Sequence, residues 1–238
     1  MNVLGLITAR GGSKGIPRKN LAACGGRPLL AWTCEAATEA TCITRTVIST
    51  DDREIAEYAV SQGCEAPFLR PPELGSDTAK SIDVAKHAVE WLQAREWWTT
   101  DVVVLLQPTS PMRTARHIDE AFGKLDEAAD AVVSVVEVPH RFKPWAVLAL
   151  EADELREHVT GDLPFDRSRR QGQPTLYARN GPAIVVTKAG VIRGGSFYGD
   201  HCRPYEMSAI DSVDIDDRDD LDYADFLLRR REARKARP

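Results

Sequence analysis

The chain has 238 residues, of which 43% are hydrophobic and 28% are charged, and its formal net charge is −5. This length allows one domain, or one domain with a subdomain, that buries a full core. The acidic balance argues against a protein that coats nucleic acid, for which a basic balance is expected.

The cysteines and the apolar runs indicate a cellular location. Five cysteines without a CxxC pair predict reduced thiols and not a disulfide framework. The apolar stretch before Arg10 is too short for a signal peptide, and the run at 102–108 is far below the roughly 20 residues of a membrane helix. We therefore expect a soluble, cytoplasmic protein that binds neither membrane nor nucleic acid.

Strand-like and helix-like segments alternate along the first 138 residues. Asp51 stands where it can cap a helix that stops at Gly63. Apolar periodicity predicts strands at 2–8, 44–50, 66–71, 101–111 and 130–138, and helices at 28–40, 52–62, 78–97 and 114–128.

This alternation predicts an α/β fold with a mostly parallel sheet and helices on both faces. Ligands of such sheets bind at the carboxyl ends of the strands. Two polar segments follow strands in this way, the loop that begins at Arg10 and the "QPTSP" segment that begins at Gln107.

The pattern breaks between 139 and 180, where proline, arginine and glycine are frequent and no clean period exists. A segment of this length predicts an excursion from the sheet, either a lid, a subdomain or an oligomerisation arm. The sheet is expected to resume at 183–188, and the chain ends in an acidic segment followed by a helix with a basic tail. We expect one domain over 1–238.

The loop "ARGGSKGIPRKNL" at 9–21 concentrates positive charge in an acidic chain. It has three glycines and four cations, Arg10, Lys14, Arg18 and Lys19, and matches neither GxxxxGK[ST] nor GxGxxG. Glycines let backbone N–H groups surround an anion, and the cations match the roughly four charges of a nucleoside triphosphate. The alternative is a solvated basic turn.

The segment "VDIDD" near the carboxyl end places two aspartates two residues apart. In extended backbone the carboxylates of Asp214 and Asp216 point to one face, where a divalent cation relieves their repulsion. Magnesium is commonly held by one or two carboxylates together with substrate phosphates. A solvated acidic run is the alternative, since eight aspartates occur between 211 and 225.

Other catalytic patterns are missing from the sequence. There is no HExxH or GxSxG, and His201 and Cys202 would face opposite ways on a strand. Gln107 ends a buried strand, where its amide can bind a ligand or cap its own turn.

Several stretches taken together resemble one family. They are "ITARGGSKGIPRKNL", "STDDREIA", "LRPPEL", "SDTAKSIDV", "LLQPTSPMR", "PHRFKPW", "YARNG" and "VDIDDRDDL", which occur in this order in the acylneuraminate (CMP-sialic acid) synthetases. The resemblance extends over essentially the whole chain. It implies a Rossmann-like nucleotidyltransferase fold in which 139–180 forms a homodimerisation and substrate arm. It also implies a Mg²⁺-dependent transfer of CMP from CTP to a 2-keto sugar acid.

The resemblance also implies roles for individual residues. Arg10 and Lys19 would neutralise the triphosphate, and Asp214 and Asp216 would bind the metal, with Asp216 our hypothesis for the general base. The remaining implied CTP contacts are Lys14, Asn20, Arg70 and Ser81, and the implied contacts with the acidic sugar are Gln107, Lys143, Arg169, Arg170 and Asn180.

One departure leaves the acceptor open. Relatives that use sialic acid often read "NGAIY" where this chain reads "NGPAIVV", so an aromatic that packs on the sugar is missing. Phe197 and Tyr198 are the candidates to replace it. Legionaminic-type or pseudaminic-type acids, a deaminated sialic acid, an eight-carbon keto sugar acid and a phosphonate are alternative acceptors. A non-catalytic CTP-binding module is the alternative from another class of protein.

Overall fold

The structure is a computed structural model that describes residues 1–13, 15–76, 78–159, 165–166, 172–181 and 183–235. The strands in these ranges are β1 (Val3–Thr8), β2 (Ala23–Cys24), β3 (Arg27–Pro28), β4 (Arg45–Ser49), β5 (Val102–Leu106), β6 (Ala131–Glu137), β7 (Leu148–Glu151), β8 (Glu154–Glu157), β9 (Tyr177–Arg179), β10 (Val185–Lys188) and β11 (Cys202–Glu206). The α-helices are α1 (Leu29–Glu39), α2 (Arg53–Ser61), α3 (Pro72–Gly75), α4 (Ser81–Glu96), α5 (Ala115–Phe122), α6 (Ala189–Arg193) and α7 (Arg218–Lys235).

A seven-stranded sheet forms the centre of the fold, in the order β11-β6-β10-β5-β1-β4, with β9 paired to β6. β1 is parallel to both β4 and β5, and β11 is parallel to β6. β10 is antiparallel to both of its neighbours, and β9 is antiparallel to β6. The predicted mostly parallel α/β sheet is therefore confirmed, with β9 and β10 as its antiparallel members.

The sheet is buried on both faces. Buried residues of β1, β4 and β5 contribute to one apolar cluster with α1 and α2 and to a second with α4. Continuous apolar strands such as β5, whose five residues are all buried, are typical of a sheet covered on two faces. A third cluster, around Trp32, joins α1 to α7.

Two local predictions are wrong. The expected strand at 66–71 is absent. The pairing of this region with β4 is limited to one isolated bridge between Val47 and Glu65, just before the expected strand. The residue that caps α2 is Asp52, whose Oδ1 accepts a hydrogen bond from Ile55 N at 3.1 Å. Asp51 instead accepts a hydrogen bond from Gly11 N at 2.9 Å, so it fastens the opening loop to the end of β4.

Part of the segment predicted as an arm is a β-hairpin. β7 and β8 pair only with each other, with Leu150 directly opposite Leu155. Leu148, Leu150 and Leu155 are exposed by 49%, 71% and 68%, respectively. The hairpin therefore presents an apolar surface that the described part of this chain does not cover.

None of the helices in the described ranges combines the length and the apolar character that crossing a bilayer requires.

Candidate functional site

A cleft of about 270 Å³ opens at the carboxyl ends of β1, β4 and β5. Six residues predicted from the sequence line it: Arg10, Lys19, Asn20, Arg70, Ser81 and Gln107. They come from four separate segments of the chain, which the parallel strand order brings to one edge of the sheet. The structure thus brings together the predicted nucleotide contacts that lie within its described residues.

The opening loop is joined to the aspartate segment by a direct hydrogen bond. Lys19 Nζ donates to the carbonyl oxygen of Ile215 at 2.7 Å, so the ammonium lies beside the residue between Asp214 and Asp216. Ile215 N in turn donates to the carbonyl oxygen of Thr109 at 2.9 Å. The aspartate segment is therefore held against two of the segments that line the cleft.

Apolar packing and close backbone contact support this arrangement. Ile16 and Ile215 are both buried in the cluster around Trp32. A Cβ added to Gly15 would lie 2.8 Å from the carbonyl oxygen of Asp216. Only glycine therefore allows the two backbone segments to approach so closely. The loop and the segment of the aspartate pair are therefore held against each other by a hydrogen bond, apolar packing and close backbone contact.

The Asp214 carboxyl group has an unusual environment. Burial raises its pKa, and the nearby Asp216 and Asp220 carboxylates raise it further, whereas Thr109 and Lys19 lower it. Its Oδ1 is buried and has no hydrogen-bond partner. A buried acceptor without a donor costs free energy, which a bound cation would recover.

These features fit a divalent metal ion. The orphaned Asp214 oxygen and the neighbouring Asp216 carboxylate are hard oxygen ligands of the kind that Mg²⁺ prefers. Within the ranges that the structure describes, no group of three or more His, Cys, Asp or Glu side chains could hold an ion. The pair would therefore need further ligands from substrate phosphates and water.

Two arginines give the cleft a positive interior. Burial lowers the pKa of Arg70, the nearby Asp51 carboxylate raises it, and Arg10 lowers it. Arg70 Nε donates to Ser49 Oγ at 3.1 Å, and its Nη2 donates to the carbonyl oxygen of Ser49, so the guanidinium is held at the end of β4. A second cation close enough to lower the pKa of Arg70 favours an anionic ligand in this cleft.

The amino-terminal end of α4 also faces the cleft, through Ser81 and Val84. The first turn of a helix has free N–H groups and a partial positive charge, which favour an anion or a hydrogen-bond acceptor. On the loop side, Asn20 Nδ2 donates to the carbonyl oxygen of Arg10 at 2.9 Å. Asn20 therefore shapes the loop through this bond.

Gln107 is supported by a buried arginine that the sequence analysis did not identify. Arg113 is fully buried, and its guanidinium donates to the carbonyl oxygens of Gln107 at 3.1 Å and Ala183 at 2.7 Å and to Thr33 Oγ1 at 2.6 Å. Burial lowers its pKa to about 9. This side chain fixes the turn that carries Gln107.

The remaining predicted sugar contacts lie outside this cleft. Lys143 lines a second cleft of about 430 Å³ with Glu137, His140 and Glu206, and its Nζ donates to the carbonyl oxygen of Pro174 at 2.9 Å. Asn180 is buried, accepts a hydrogen bond from Ser134 Oγ at 2.6 Å and donates one to Ser212 Oγ at 2.9 Å. The Asn180 amide is thus engaged within the protein.

Phe197 and Tyr198 follow α6 and do not line either cleft. The carbonyl oxygen of Phe197 accepts from Thr187 Oγ1 at 2.7 Å, and the Tyr198 hydroxyl accepts from Arg179 at 2.8 Å. Both rings pack partly against the α4 face of the sheet. The predicted positions Lys14, Arg169 and Arg170 lie outside the described residues.

Several residues of the cleft were missed by sequence reasoning. They are Thr8, Gly12, Ser13, Leu74, Ser76, Ala79, Val84, Pro108 and Thr109. Most are small or apolar side chains whose type carries no chemical signal. Thr8 was detectable, because it is the last residue of the first strand.

Comparison with known proteins gives relatives along nearly the whole chain. The family model for cytidylyltransferases matches residues 4–229. The chain is 34% identical over 218 residues to a CMP-N,N'-diacetyllegionaminic acid synthase of Legionella pneumophila, with 91% of each chain covered. It is 32% identical over 233 residues to an N-acylneuraminate cytidylyltransferase of Escherichia coli, which covers 98% of this chain and 54% of that relative.

The fold is also similar to that of a solved enzyme. The chain matches the structure of CMP:2-keto-3-deoxy-manno-octonic acid synthetase complexed with CTP. The TM-score is 0.68, the sequence identity is 17%, and the match covers 99% of this chain and 100% of that chain. At this identity the likeness concerns the fold.

Proposed function

The chain belongs to the cytidylyltransferase family, and from this premise we propose that it transfers CMP from CTP to an acidic 2-keto sugar and releases pyrophosphate. The family and the nucleotidyltransferase activity expected from the sequence motifs are confirmed by these relatives. The observation that carries the proposal for this chain is the hydrogen bond from Lys19 to Ile215, because Lys19 lines the cleft and the bond joins its loop to the segment that carries Asp214 and Asp216.

In the proposed reaction, the anomeric hydroxyl oxygen of the acceptor forms a bond to the α-phosphorus of CTP. The bond from that phosphorus to the oxygen of the leaving pyrophosphate breaks. Such a transfer requires mainly positioning and charge neutralisation from the protein. Arg10 and Lys19 would neutralise the phosphates, and Arg70 and Ser81 line the part of the cleft assigned to cytidine.

Asp214 and Asp216 would hold Mg²⁺ together with the phosphates. The bound ion would supply charge stabilisation on the phosphate oxygens. Asp216 is exposed and is our proposal for the group that takes the proton from the acceptor hydroxyl. Its neighbour Asp214 is more buried and is better suited to holding the ion.

For the acceptor, we propose a nonulosonic acid of the sialic, legionaminic or pseudaminic type. The Legionella pneumophila relative, which aligns over 91% of this chain and 91% of its own length, is named a CMP-N,N'-diacetyllegionaminic acid synthase. This name supports an acceptor of this class. Gln107 would contact the sugar from the cleft. Lys143, Arg169 and Arg170 belong to the arm segment and would meet the carboxylate of the acid, since cations bind carboxylates by charge-assisted hydrogen bonds.

We further propose that the protein is a homodimer formed through the arm. The exposed leucines of the β7–β8 hairpin support an arm that packs on a partner copy, and so does the position of Lys143 in a cleft other than the first. A two-stranded hairpin alone is marginally stable, so packing on another surface would stabilise it. A cytoplasmic location is supported by the free state of all five cysteines.

A panel of acids tests the proposal. Pyrophosphate release from CTP and Mg²⁺ would be measured with sialic, legionaminic and pseudaminic acids, a deaminated sialic acid, an eight-carbon keto sugar acid and a phosphonate. We expect release with at least one nonulosonic acid and a lower kcat/KM with the other classes. Tight CTP binding without release from any acid would instead indicate a non-catalytic CTP-binding module.

A further inference from the structure

A second positively charged concavity lies at the carboxyl-terminal end of α7, and it shares no lining residue with either cleft described above. This groove of about 420 Å³ has four cations in its lining, Arg230, Arg231, Arg234 and Lys235. Its volume is within the range of about 300–1,000 Å³ typical of small-ligand pockets. None of the functions proposed above uses it.

The groove retains positive charge after its internal ion pairs are counted. Arg231 and Lys235 both pair with Glu232, at 3.6 Å and 3.1 Å, and Asp211, which also lines the groove, adds one negative charge against its four cations. Within the described ranges, no carboxylate pairs with Arg230 or Arg234. These two guanidinium groups keep their hydrogen-bonding capacity for a ligand.

The same groove has apolar walls. Met112 and Leu227 are buried, and Ile210 is 51% exposed although it is a large apolar side chain. Cations in the last turn of a helix complement its dipole, which accounts for positive residues at this end of α7. The dipole does not account for apolar side chains from two other segments that meet the cations in a concavity.

Arg231, which lines the groove, contacts the wall that Met112 forms. Arg231 is partly buried, and its Nη1 donates to the carbonyl oxygen of Met112 at 3.2 Å. Arg231 also lies 5.0 Å from the centre of the Trp32 ring, so its position is fixed from two sides. Arg231 therefore joins the groove to the segment of Met112 and to α1.

We propose that this groove binds a small organic anion, whose charged group contacts Arg230 and Arg234 while its apolar body packs on Met112, Leu227 and Ile210. A carboxylate, phosphate or sulfonate on an aromatic or aliphatic body has the required chemistry. The occupant would contact the segment that carries Gln107 through Met112 and the segment that carries Asp214 through Ile210.

The test uses a fluorescent aromatic sulfonate, 8-anilinonaphthalene-1-sulfonate, titrated into the full chain. The neutral dye N-phenyl-1-naphthylamine has the same rings without the sulfonate and reports apolar binding alone. In the Arg230→Glu/Arg234→Glu double variant we expect the Kd of the sulfonate to rise at least tenfold, with little change for the neutral dye. Circular dichroism would verify that the variant is folded.

A matched control removes two arginines from the ends of other helices. Arg95 and Arg193 stand in the last turns of α4 and α6 and are exposed. The Arg95→Glu/Arg193→Glu variant makes the same change of net charge and should bind the sulfonate with the wild-type Kd. Equal sulfonate binding by wild type and the Arg230→Glu/Arg234→Glu variant would overturn the proposal. So would an equal loss of sulfonate binding in the control.

The binding of the sulfonate at the groove does not depend on the proposed CMP transfer. Sulfonate binding at the groove should persist in a Lys19→Ala variant, in which CTP binding is expected to be weak. A protein that binds the sulfonate at the groove but transfers no CMP would leave this inference standing and remove only the proposed function.

Discussion

Lys19 Nζ lies 2.7 Å from the carbonyl oxygen of Ile215, a residue that is 196 positions further along the chain. This bond uses one of the three donors of the ammonium and leaves two for a ligand. It also places the positive charge close enough to lower the pKa of Asp214. Lys19 therefore links the two charged segments in geometry and in electrostatics.

Replacing Lys19 with Ala should lower kcat/KM for CTP by about 10- to 150-fold, since a charge-assisted hydrogen bond in a partly buried site is worth about 1.5–3 kcal/mol. Steady-state pyrophosphate release would measure this loss, and circular dichroism would show that the fold is kept. Wild-type turnover in this variant would remove our explanation of the loop.

Arg18 provides a matched control within the same loop. Its guanidinium pairs with Asp52 at 3.3 Å and Glu54 at 2.6 Å on the surface, away from the lining of the cleft. Because exposed ion pairs contribute about 0–1 kcal/mol, Arg18→Ala should leave kcat/KM within about fivefold of wild type. Equal damage from both variants would indicate that the loop acts only through its overall charge.

Replacing Asp214 with Asn should abolish Mg²⁺-dependent turnover and raise the midpoint of thermal unfolding in metal-free buffer. Because burial raises the pKa of this carboxyl in the folded state, its ionisation disfavours folding as pH rises above the usual aspartate range. The gain in midpoint should therefore be present at neutral pH and shrink as the pH falls into that range. Thermal unfolding at several pH values would measure it.

Asp222 serves as the control for this stability effect. It is an exposed carboxylate on α7 that pairs with Arg218 four residues away. Asp222→Asn should leave both the metal dependence and the pH dependence of the unfolding midpoint unchanged. An unaltered metal titration in Asp214→Asn would show that the aspartate pair is only a surface feature.

The sequence was sufficient for the main sheet because its signals there are local. Continuous apolar runs such as β5 depend on neighbouring residues alone, and so does the extent of α2, although its capping residue was predicted one position too early. The antiparallel insertion of β10 between β5 and β6 depends on long-range pairing, which no local pattern reports. The strand wrongly predicted at 66–71 also depends on tertiary contacts, because Phe68 packs against His87 and Trp91 of α4 while Leu69 is exposed.

The site residues also divide into those that a local sequence pattern indicates and those that only the packed structure reveals. Arg10, Lys19 and Asp214 could be predicted from the sequence because they are charged residues within motifs of the family that the chain resembles, and their roles stay predictions. Arg113 was missed because its importance comes from complete burial against acceptors from three segments, and burial of an arginine is not readable from sequence. Its role follows from the packed structure alone.

Replacing Arg113 with Lys should destabilise the protein by about 2–3 kcal/mol. A lysine has one donor atom and cannot reach the acceptors of Gln107, Ala183 and Thr33 together, so buried acceptors are left without partners. Urea unfolding would measure the loss. The control is Arg116, an exposed arginine three residues further along the chain. Arg116→Lys should change the free energy of unfolding by less than about 0.5 kcal/mol.

The β7–β8 hairpin leads to a prediction about assembly. Leu150 and Leu155 are directly opposite each other and are exposed by 71% and 68%. Burying a leucine side chain is worth about 1.5–3 kcal/mol, so two per protomer would contribute substantially to a dimer. The Leu150→Glu/Leu155→Glu variant should therefore elute as a monomer in size-exclusion chromatography with light scattering.

The same variant should keep CTP binding and lose acceptor-dependent turnover, because Lys143 of the arm does not line the proposed CTP cleft of its own chain. The control is Val60→Glu/Phe226→Glu, which places the same charges at exposed apolar positions on α2 and α7. That control should elute like the wild type. If the wild type is itself a monomer with full turnover, the arm acts within one chain and the dimer proposal is wrong.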